Sequence, residues 1–285
     1  MRLQRSHLCL FILCSAIIIA GCSRQPPNQA QGYIEGRYTY MATSVSGVLK
    51  EILVDRGATV KKGQTLFVLE AQPESDVYTA AVDSLKQSVD ARDAIAANLS
   101  FAKITFERYK LLVPKKAVSQ SQLDNAQSTY YANVAQLAQA NASIATSTAS
   151  LAQSGWTKDQ KIVSAPVDAI VFDTYYRLGE YTVANQAILS LLAPENIKAI
   201  FYVSEAVLGG LKLGGKVTVQ CDGCTKAYSG TISFISPSAE YTPPVIYSNE
   251  TNEKLVYRIE AEFKPQDAYN LHPGQPVTVM YASHD

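Results

Sequence analysis

Val45-Ser46-Gly47-Val48-Leu49, followed by Gly57 and by Gly63-Gln64-Thr65-Leu66, is one half of the pattern that decides the fold. Val167-Asp168-Ala169-Ile170-Val171, followed by Gly179 and by Asn185-Gln186-Ala187-Ile188, is the other. Gly47 stands as far from Gly57 as Ala169 stands from Gly179, and Gln64 and Gln186 fall at the same offset. Each copy alternates apolar and polar residues and is punctuated by Gly or Asn, as short strands with tight turns require. Neither copy is long enough to bury its apolar face alone, so the two predict the halves of one small β-sandwich.

What lies between the halves is helical in pattern. From Glu74 to Leu112 there is no glycine or proline, and Val82, Leu85, Val89, Ala96, Leu99, Phe106 and Tyr109 recur mostly at steps of three and four. Pro73 suits a helix start, and Pro114 ends the run because it lacks an N–H and disfavours helix in the residue before it. Ser119 is a candidate N-cap for a second run through Ser154, and Gly155 is the predicted stop. Two such helices and a short turn predict an antiparallel coiled-coil hairpin. At 1.5 Å per residue it reaches roughly 55–60 Å. Its apolar stripe is narrow, and the rest is mainly Ala, Ser, Gln, Asn and Thr, so it suits packing beside copies of itself better than building a core.

The two halves resemble the split lipoyl/biotinyl motif of the HlyD-type membrane fusion proteins: Gly47 to Val54 with Gly57 and Val60 to Leu66, then Ser164-Ala165-Pro166 through Val171 with Gly179-Glu180. A true lipoyl or biotin carrier would present a lysine at a tight turn between the halves. That position is Glu70-Ala71-Gln72-Pro73-Glu74, so no cofactor is expected. The resemblance extends over about Gly32 to Tyr281. Lys198–Val203, a stretch from Ser204 to Leu211 for the one short helix, Lys216–Gln220, Ala227–Ser236 and Leu271–Val279 resemble the small β-barrel of those proteins. The stretch Ala239 to Ser248 with Leu255 to Ala261 resembles short adaptors paired with ABC-2-type exporters. A full membrane-proximal domain beyond the barrel is not expected.

The implied fold is mixed α and β and elongated, with a long helical hairpin inserted between two halves of a lipoyl-like sandwich and followed by a β-barrel. The expected boundaries are a signal peptide at 1–21, a lipidated tether at 22–32, the sandwich at 33–72 plus 160–193, the hairpin at 73–159, and the barrel with a short extension at 194–285. At the tip, Arg108, Leu112 and Ser119 match the spacing by which such adaptors dock TolC-type outer-membrane channels. The resemblance implies polar contacts from Arg108 and Ser119 and packing from Leu112. It also implies an inner-membrane transporter as partner, an ABC permease and ATPase, and a homo-oligomeric ring. An adaptor of polypeptide secretion or of a proton-driven pump, and a free-standing envelope lipoprotein, are the alternatives.

The N-terminus fits that location. Arg2 and Arg5 precede an apolar stretch from Leu8 to Ala20 that ends in Ile19-Ala20-Gly21-Cys22, a sequence resembling the bacterial lipobox. Cleavage before Cys22 and acylation of its sulfur would tether the chain to a membrane of a Gram-negative bacterium from the periplasmic side; several acyl chains anchor firmly at about 0.8 kcal/mol per buried methylene. Cys221-Asp222-Gly223-Cys224 places two cysteines around a hairpin-turn signal. In an oxidising compartment they close a small disulfide or remain thiols; a redox motif or half a zinc site is the sharper alternative. Cleavage removes two of the 25 basic residues and leaves 25 acidic ones, with no basic footprint for nucleic acid. The mature chain has no phosphate loop and no ordered nucleophile and base, so no enzyme is expected, and any ATP would be hydrolysed by a partner.

Overall fold

The computed structural model describes residues 28–241 and 255–282. The expected signal peptide, the Cys22 lipidation site, residues 22–27 of the tether, the Thr242–Ser248 stretch and His284 lie outside the described residues. The described chain forms two compact units, one of Thr39–Leu191, the other of residues up to Tyr38 together with Leu192 onward.

The described chain starts with strand β1 (Gln29–Gly36), which belongs to the second unit. The first unit then runs through β2 (Thr39–Met41), β3 (Gly47–Ile52), β4 (Thr59–Val60), β5 (Thr65–Leu69), helix α1 (Glu74–Leu112), helix α2 (Gln120–Asp159), β6 (Ile162–Ser164), β7 (Ala169–Thr174), β8 (Tyr181–Thr182) and β9 (Leu189–Leu192). Its strands form two sheets, ordered β2-β9-β7-β4 and β6-β5-β3-β8. Each sheet takes strands from both halves of the repeat, so neither half can close its sheet without the other.

Gly47 and Ala169 are 122 positions apart, and nearly every link in the sandwich recurs at that offset. Gly47 pairs with Thr182, and Val60 pairs with Ala169. The Gly57 N–H donates to the Val171 carbonyl at 2.8 Å, and the Gly179 N–H donates to that of Leu49 at 2.9 Å. Ser46 Oγ accepts from the Ala184 N–H at 3.0 Å; its counterpart Asp168 accepts from the Lys62 N–H at 2.9 Å. The apolar interior obeys the same rule, with Phe67 and Leu189, Leu69 and Leu191, and Leu49 and Val171 all fully buried. Gly63 (φ 83°) and Asn185 (φ 64°) occupy equivalent left-handed turns, where Gly and Asn are the residues that cost least.

Helices α1 and α2 are 39 and 40 residues long and pack against each other as the inserted hairpin. Glu74 and Asp76 in the first turn of α1 and Lys110 in its last suit the helix dipole. Gly155 does not stop α2, which continues to Asp159. The reason is tertiary: a Cβ on Gly155 would lie 3.4 Å from the ring of Tyr78, and Lys158 Nζ sits 4.5 Å from the centroid of the same ring. The packing gained by that close approach outweighs the helix propensity of one glycine, about 1 kcal/mol.

The second unit continues from β9 through β10 (Ile197–Ser204), a short helix α3 (Glu205–Leu208), β11 (Lys216–Gln220), β12 (Tyr228–Ile235), β13 (Glu240–Tyr241), β14 (Leu255–Phe263), α4 (Pro265–Ala268) and β15 (Pro276–Tyr281). Its strand order is β10-β1-β15-β11-β12-β14, and β14 pairs back onto β10, which closes a six-stranded barrel; β13 attaches to β14. Ile34, Phe201, Val219, Ile259, Ala261 and Val279 fill the interior.

Here the expected boundaries need correction. Residues 29–32, read as tether, and 33–36, read as sandwich, are one strand of the barrel, paired to β10 from Gly32↔Phe201 to Gly36↔Ile197 and to β15 from Gln29↔Met280 to Tyr33↔Pro276. Without β1 the barrel would have two open edges, each a row of unpaired backbone groups. Gly32 permits the closure, since a Cβ there would run into the carbonyl oxygen of Ile200.

Candidate functional site at the hairpin tip

The free end of the hairpin is built from the last turn of α1, a 3₁₀ turn at Val113–Lys115, and the first turn of α2. Pro114 sits at the start of the 3₁₀ turn, where its missing N–H costs nothing, and Lys116 takes a left-handed conformation (φ 54°) to reverse the chain. Ser119 then starts α2 with a capping box. Its Oγ accepts from the Gln122 N–H at 3.2 Å, and Gln122 Oε1 accepts from the Ser119 N–H at 2.8 Å. Such a box fixes where the second helix begins and so fixes the shape of the tip.

Arg108 is exposed on the outer turn of α1, Ser119 is exposed at the cap, and Leu112 is half-buried beneath them. The apolar side chain the tip presents to solvent is its neighbour Leu111, 70 % exposed. Sequence reasoning missed Leu111 because the family spacing picks Leu112; which leucine faces solvent is set by the helix phase. Lys110, Lys115 and Lys116 are exposed beside Arg108, so the tip is basic around one apolar residue. Below it, Phe106 stacks on Tyr130 at 5.7 Å between ring centroids, and a groove of about 440 Å³ opens between the helices, lined by Phe101, Thr105, Tyr109, Asn125, Thr129 and Asn133. Few hairpin side chains are truly buried (Ala102 and Ala140 among them), and Phe101 is 73 % exposed.

The base of the hairpin holds a group the sequence did not single out. Lys161, second residue after α2, has a side chain only 3 % exposed. Its Nζ donates to the Ser46 carbonyl at 2.9 Å and lies 2.9 Å from Glu74 Oε2 as an ion pair, in an orientation that is not itself a hydrogen bond. One lysine thus ties the start of α1 and the end of α2 to strand β3. In the barrel, Glu260, 5 % exposed, is met by Arg37 at 2.7 Å and by Lys198 and Arg258 at 3.2 Å. Three cations around one buried carboxylate supply the compensation that burial demands.

Other expected groups belong to other parts of the chain. Cys221 and Cys224 face each other across their turn in the barrel, with Cα atoms 5.2 Å apart, inside the range a disulfide needs. Among the described residues no cluster of His, Cys, Asp or Glu is set to hold a metal, and no helix is long and apolar enough to cross a membrane. The Asp168 carboxyl is held below the usual carboxylate range by the Lys62 N–H first and by Lys61 second, and burial pushes the Tyr202 phenol up to about 12.

A family model described as the α-helical hairpin domain of RND MFP proteins matches residues 79–154. A UPF0194 membrane protein of Acidithiobacillus ferridurans is 28 % identical over 292 residues, covering 87 % of this chain and 85 % of its own. One from Yersinia pseudotuberculosis is 27 % identical over 289 residues, covering 88 % of each. Among solved structures, MacA from Actinobacillus actinomycetemcomitans superimposes with a TM-score of 0.73 at 19 % identity, over 90 % of this chain and 79 % of that one. The membrane fusion protein Spr0693 from Streptococcus pneumoniae R6 gives 0.63 at 19 % identity, over 90 % and 99 %. At these identities the structures attest the fold.

Proposed function

We propose that the chain is a membrane fusion protein of the HlyD type, a periplasmic adaptor, and that it joins an inner-membrane ABC exporter to a TolC-type outer-membrane channel for efflux of drugs or other small molecules. The observation that carries this reading is the tip. Arg108 and Ser119 stand exposed at the free end of a hairpin shaped by a proline turn and a capping box, with Leu111 as the projecting apolar contact. Leu112 supports the turn from within. A contact this small binds weakly as one copy, and a ring of copies gains by multivalency. The chain contributes connection and passage, and its partner supplies the energy. Acylated Cys22 would hold it at the membrane.

The test is affinity purification of the tagged chain from crosslinked envelopes, with the unaltered chain beside Arg108→Asp. The expected result is co-purification of an ABC permease, its ATPase and a channel with the unaltered chain, and selective loss of the channel with the variant at equal abundance. An exposed helix-end charge contributes little to the fold, so abundance should hold. Retention of the channel by Arg108→Asp would refute the docking role. A proton-driven permease in place of the ABC proteins would overturn the choice of transporter. Cys22→Ser should move the chain from the membrane fraction to the soluble periplasm.

A further inference from the structure

The turn ahead of β11 holds a leucine out in solvent. The Lys212 carbonyl accepts from the Gly215 N–H at 2.9 Å, and Gly214 takes a left-handed conformation (φ 79°), which leaves Leu213 at the corner, 67 % exposed. The turn is pinned to β12: the Gly214 N–H donates to the Ile232 carbonyl and the Ile232 N–H to that of Gly215, both at 2.8 Å. Leu211, two residues earlier, packs in the barrel core, so the chain turns one leucine in and the next out. Lys212 and Lys216 stand exposed on either side of Leu213. Lys216 Nζ donates to the Thr231 hydroxyl, a neutral partner that leaves its charge in place. One exposed leucine is ordinary; its company is not. The large apolar side chains exposed on the described barrel are Tyr33, Leu213, Phe234, Leu255 and Met280. Strand register gathers all but Tyr33 at one end. Gln29 at the start of β1 pairs with Met280, and Met280 with Thr218 near the start of β11. Lys216 pairs with Thr231, from which β12 runs on to Phe234, and antiparallel β14 comes back from Leu255.

That end is also where the tether arrives. Gln29 stands seven positions after Cys22, a stretch of chain that reaches at most about 25 Å, close to the length of β1 itself. We propose that this end of the barrel docks on the bilayer surface: Leu213 enters the boundary between headgroups and acyl chains, Met280 and Leu255 border it, and Lys212 and Lys216 meet anionic phospholipid headgroups. The placement rests on the proposed acylation of Cys22; the insertion is a property of the turn. Charge selects this occupant. Lys212 and Lys216 lie on the β11 side, next to β15, whereas the exposed acids of the same end, Glu205 and Glu240, lie on α3 and β13, by β10 and β14 across the barrel. Each lysine close to an anionic surface strengthens binding about five-fold. The turn is already built, so docking it orders little. One leucine and two lysines bind too weakly to hold a chain by themselves, and what they add to an acyl anchor is orientation. A single attachment leaves the barrel free to swivel on its tether; a second one fixes which side faces the membrane.

The test uses the full acylated chain on vesicles of phosphatidylethanolamine and phosphatidylglycerol. Trp156 is the sole tryptophan of the sequence, so Trp156→Phe with Leu213→Trp puts one fluorescent reporter at the turn. The chain should float with the vesicles, and its indole emission should shift to the blue and be quenched by lipids brominated on their acyl chains. Trp156→Phe with Gln266→Trp, at an exposed residue beyond the far end of β14, should float equally and stay unquenched. Adding Lys212→Gln to the turn reporter should lower the docked-to-undocked ratio about five-fold, and phosphatidylcholine in place of phosphatidylglycerol should lower it further. Flotation without quenching at the turn would overturn the insertion while the acyl anchor stands, and would leave this end of the barrel to a protein partner. Equal quenching at both positions would overturn the orientation, and equal quenching in the two lipid mixtures the role of the lysines. A chain that does not float would overturn the anchor and the placement together.

Discussion

Lys161→Met should cost the sandwich and hairpin about 3 kcal/mol. The structure gives the reasoning. The ammonium is 3 % exposed; it donates to the Ser46 carbonyl at 2.9 Å and is ion-paired with Glu74 Oε2 at 2.9 Å. Methionine fills nearly the same volume, so little cavity forms, but both oxygens lose their partner. Removing one member of a buried pair costs on the order of 3–5 kcal/mol. Glu74 is 20 % exposed, so water can reach part of it, which sets the lower end of that range. For a unit of this size about 3 kcal/mol corresponds to a fall in melting temperature of roughly 6–12 °C. The double variant Lys161→Met with Glu74→Met should recover most of that loss, since a buried pair replaced by apolar side chains is often neutral. Thermal unfolding followed by far-ultraviolet circular dichroism gives the four corners of the cycle. Lys161→Met melting with the unaltered chain would refute the reasoning, and so would a double variant no more stable than the single one.

Two further outcomes follow from the same kind of reading. Gly32→Ala should open the barrel locally, because its Cβ meets the Ile200 carbonyl and lies 2.9 Å from the Phe201 Cβ, and backbone cannot yield as a flexible side chain can; a loss of roughly 1–3 kcal/mol should appear as faster amide exchange in Gln29–Gly36 and Ile197–Ser204, and unchanged exchange would contradict it. Asp168 should titrate below the ordinary aspartate range in carboxyl-carbon NMR. Its depressed folded pKa means that its contribution to the turn is present above the unfolded value near 3.9 and is lost as pH falls through the folded one. Lys61→Ala should raise the titration only in part, because the Lys62 N–H, the larger cause, remains; a full return to the ordinary value would contradict the assignment.

The sandwich was legible because a repeat advertises itself: Gly47 and Ala169, Gly57 and Gly179, Gln64 and Gln186 stand in register whatever the fold turns out to be. The hairpin was legible because periodicity, Pro114 and Ser119 act within a few residues of one another. Gly155 was misread for a related reason, as local propensity was outvoted by the ring of Tyr78 from the other helix. Lys161 gave no signal at all, being one lysine at a helix end until the fold wraps Ser46 and Glu74 around it.

The sequence by itself determined which segments pair as halves and where the hairpin turns, and it carried the resemblance to adaptors of the membrane fusion type. Only the tertiary structure decided that Gln29–Gly36 closes the barrel, that Leu111 and not Leu112 projects at the tip, and that Leu211 points into the barrel while Leu213 points out. Periodicity and capping are properties of neighbouring residues and can be read along the chain. Strand partnership across more than a hundred residues, helix phase and the covering of a charge depend on which distant surfaces meet, and the free energy that selects them exists only once they are packed.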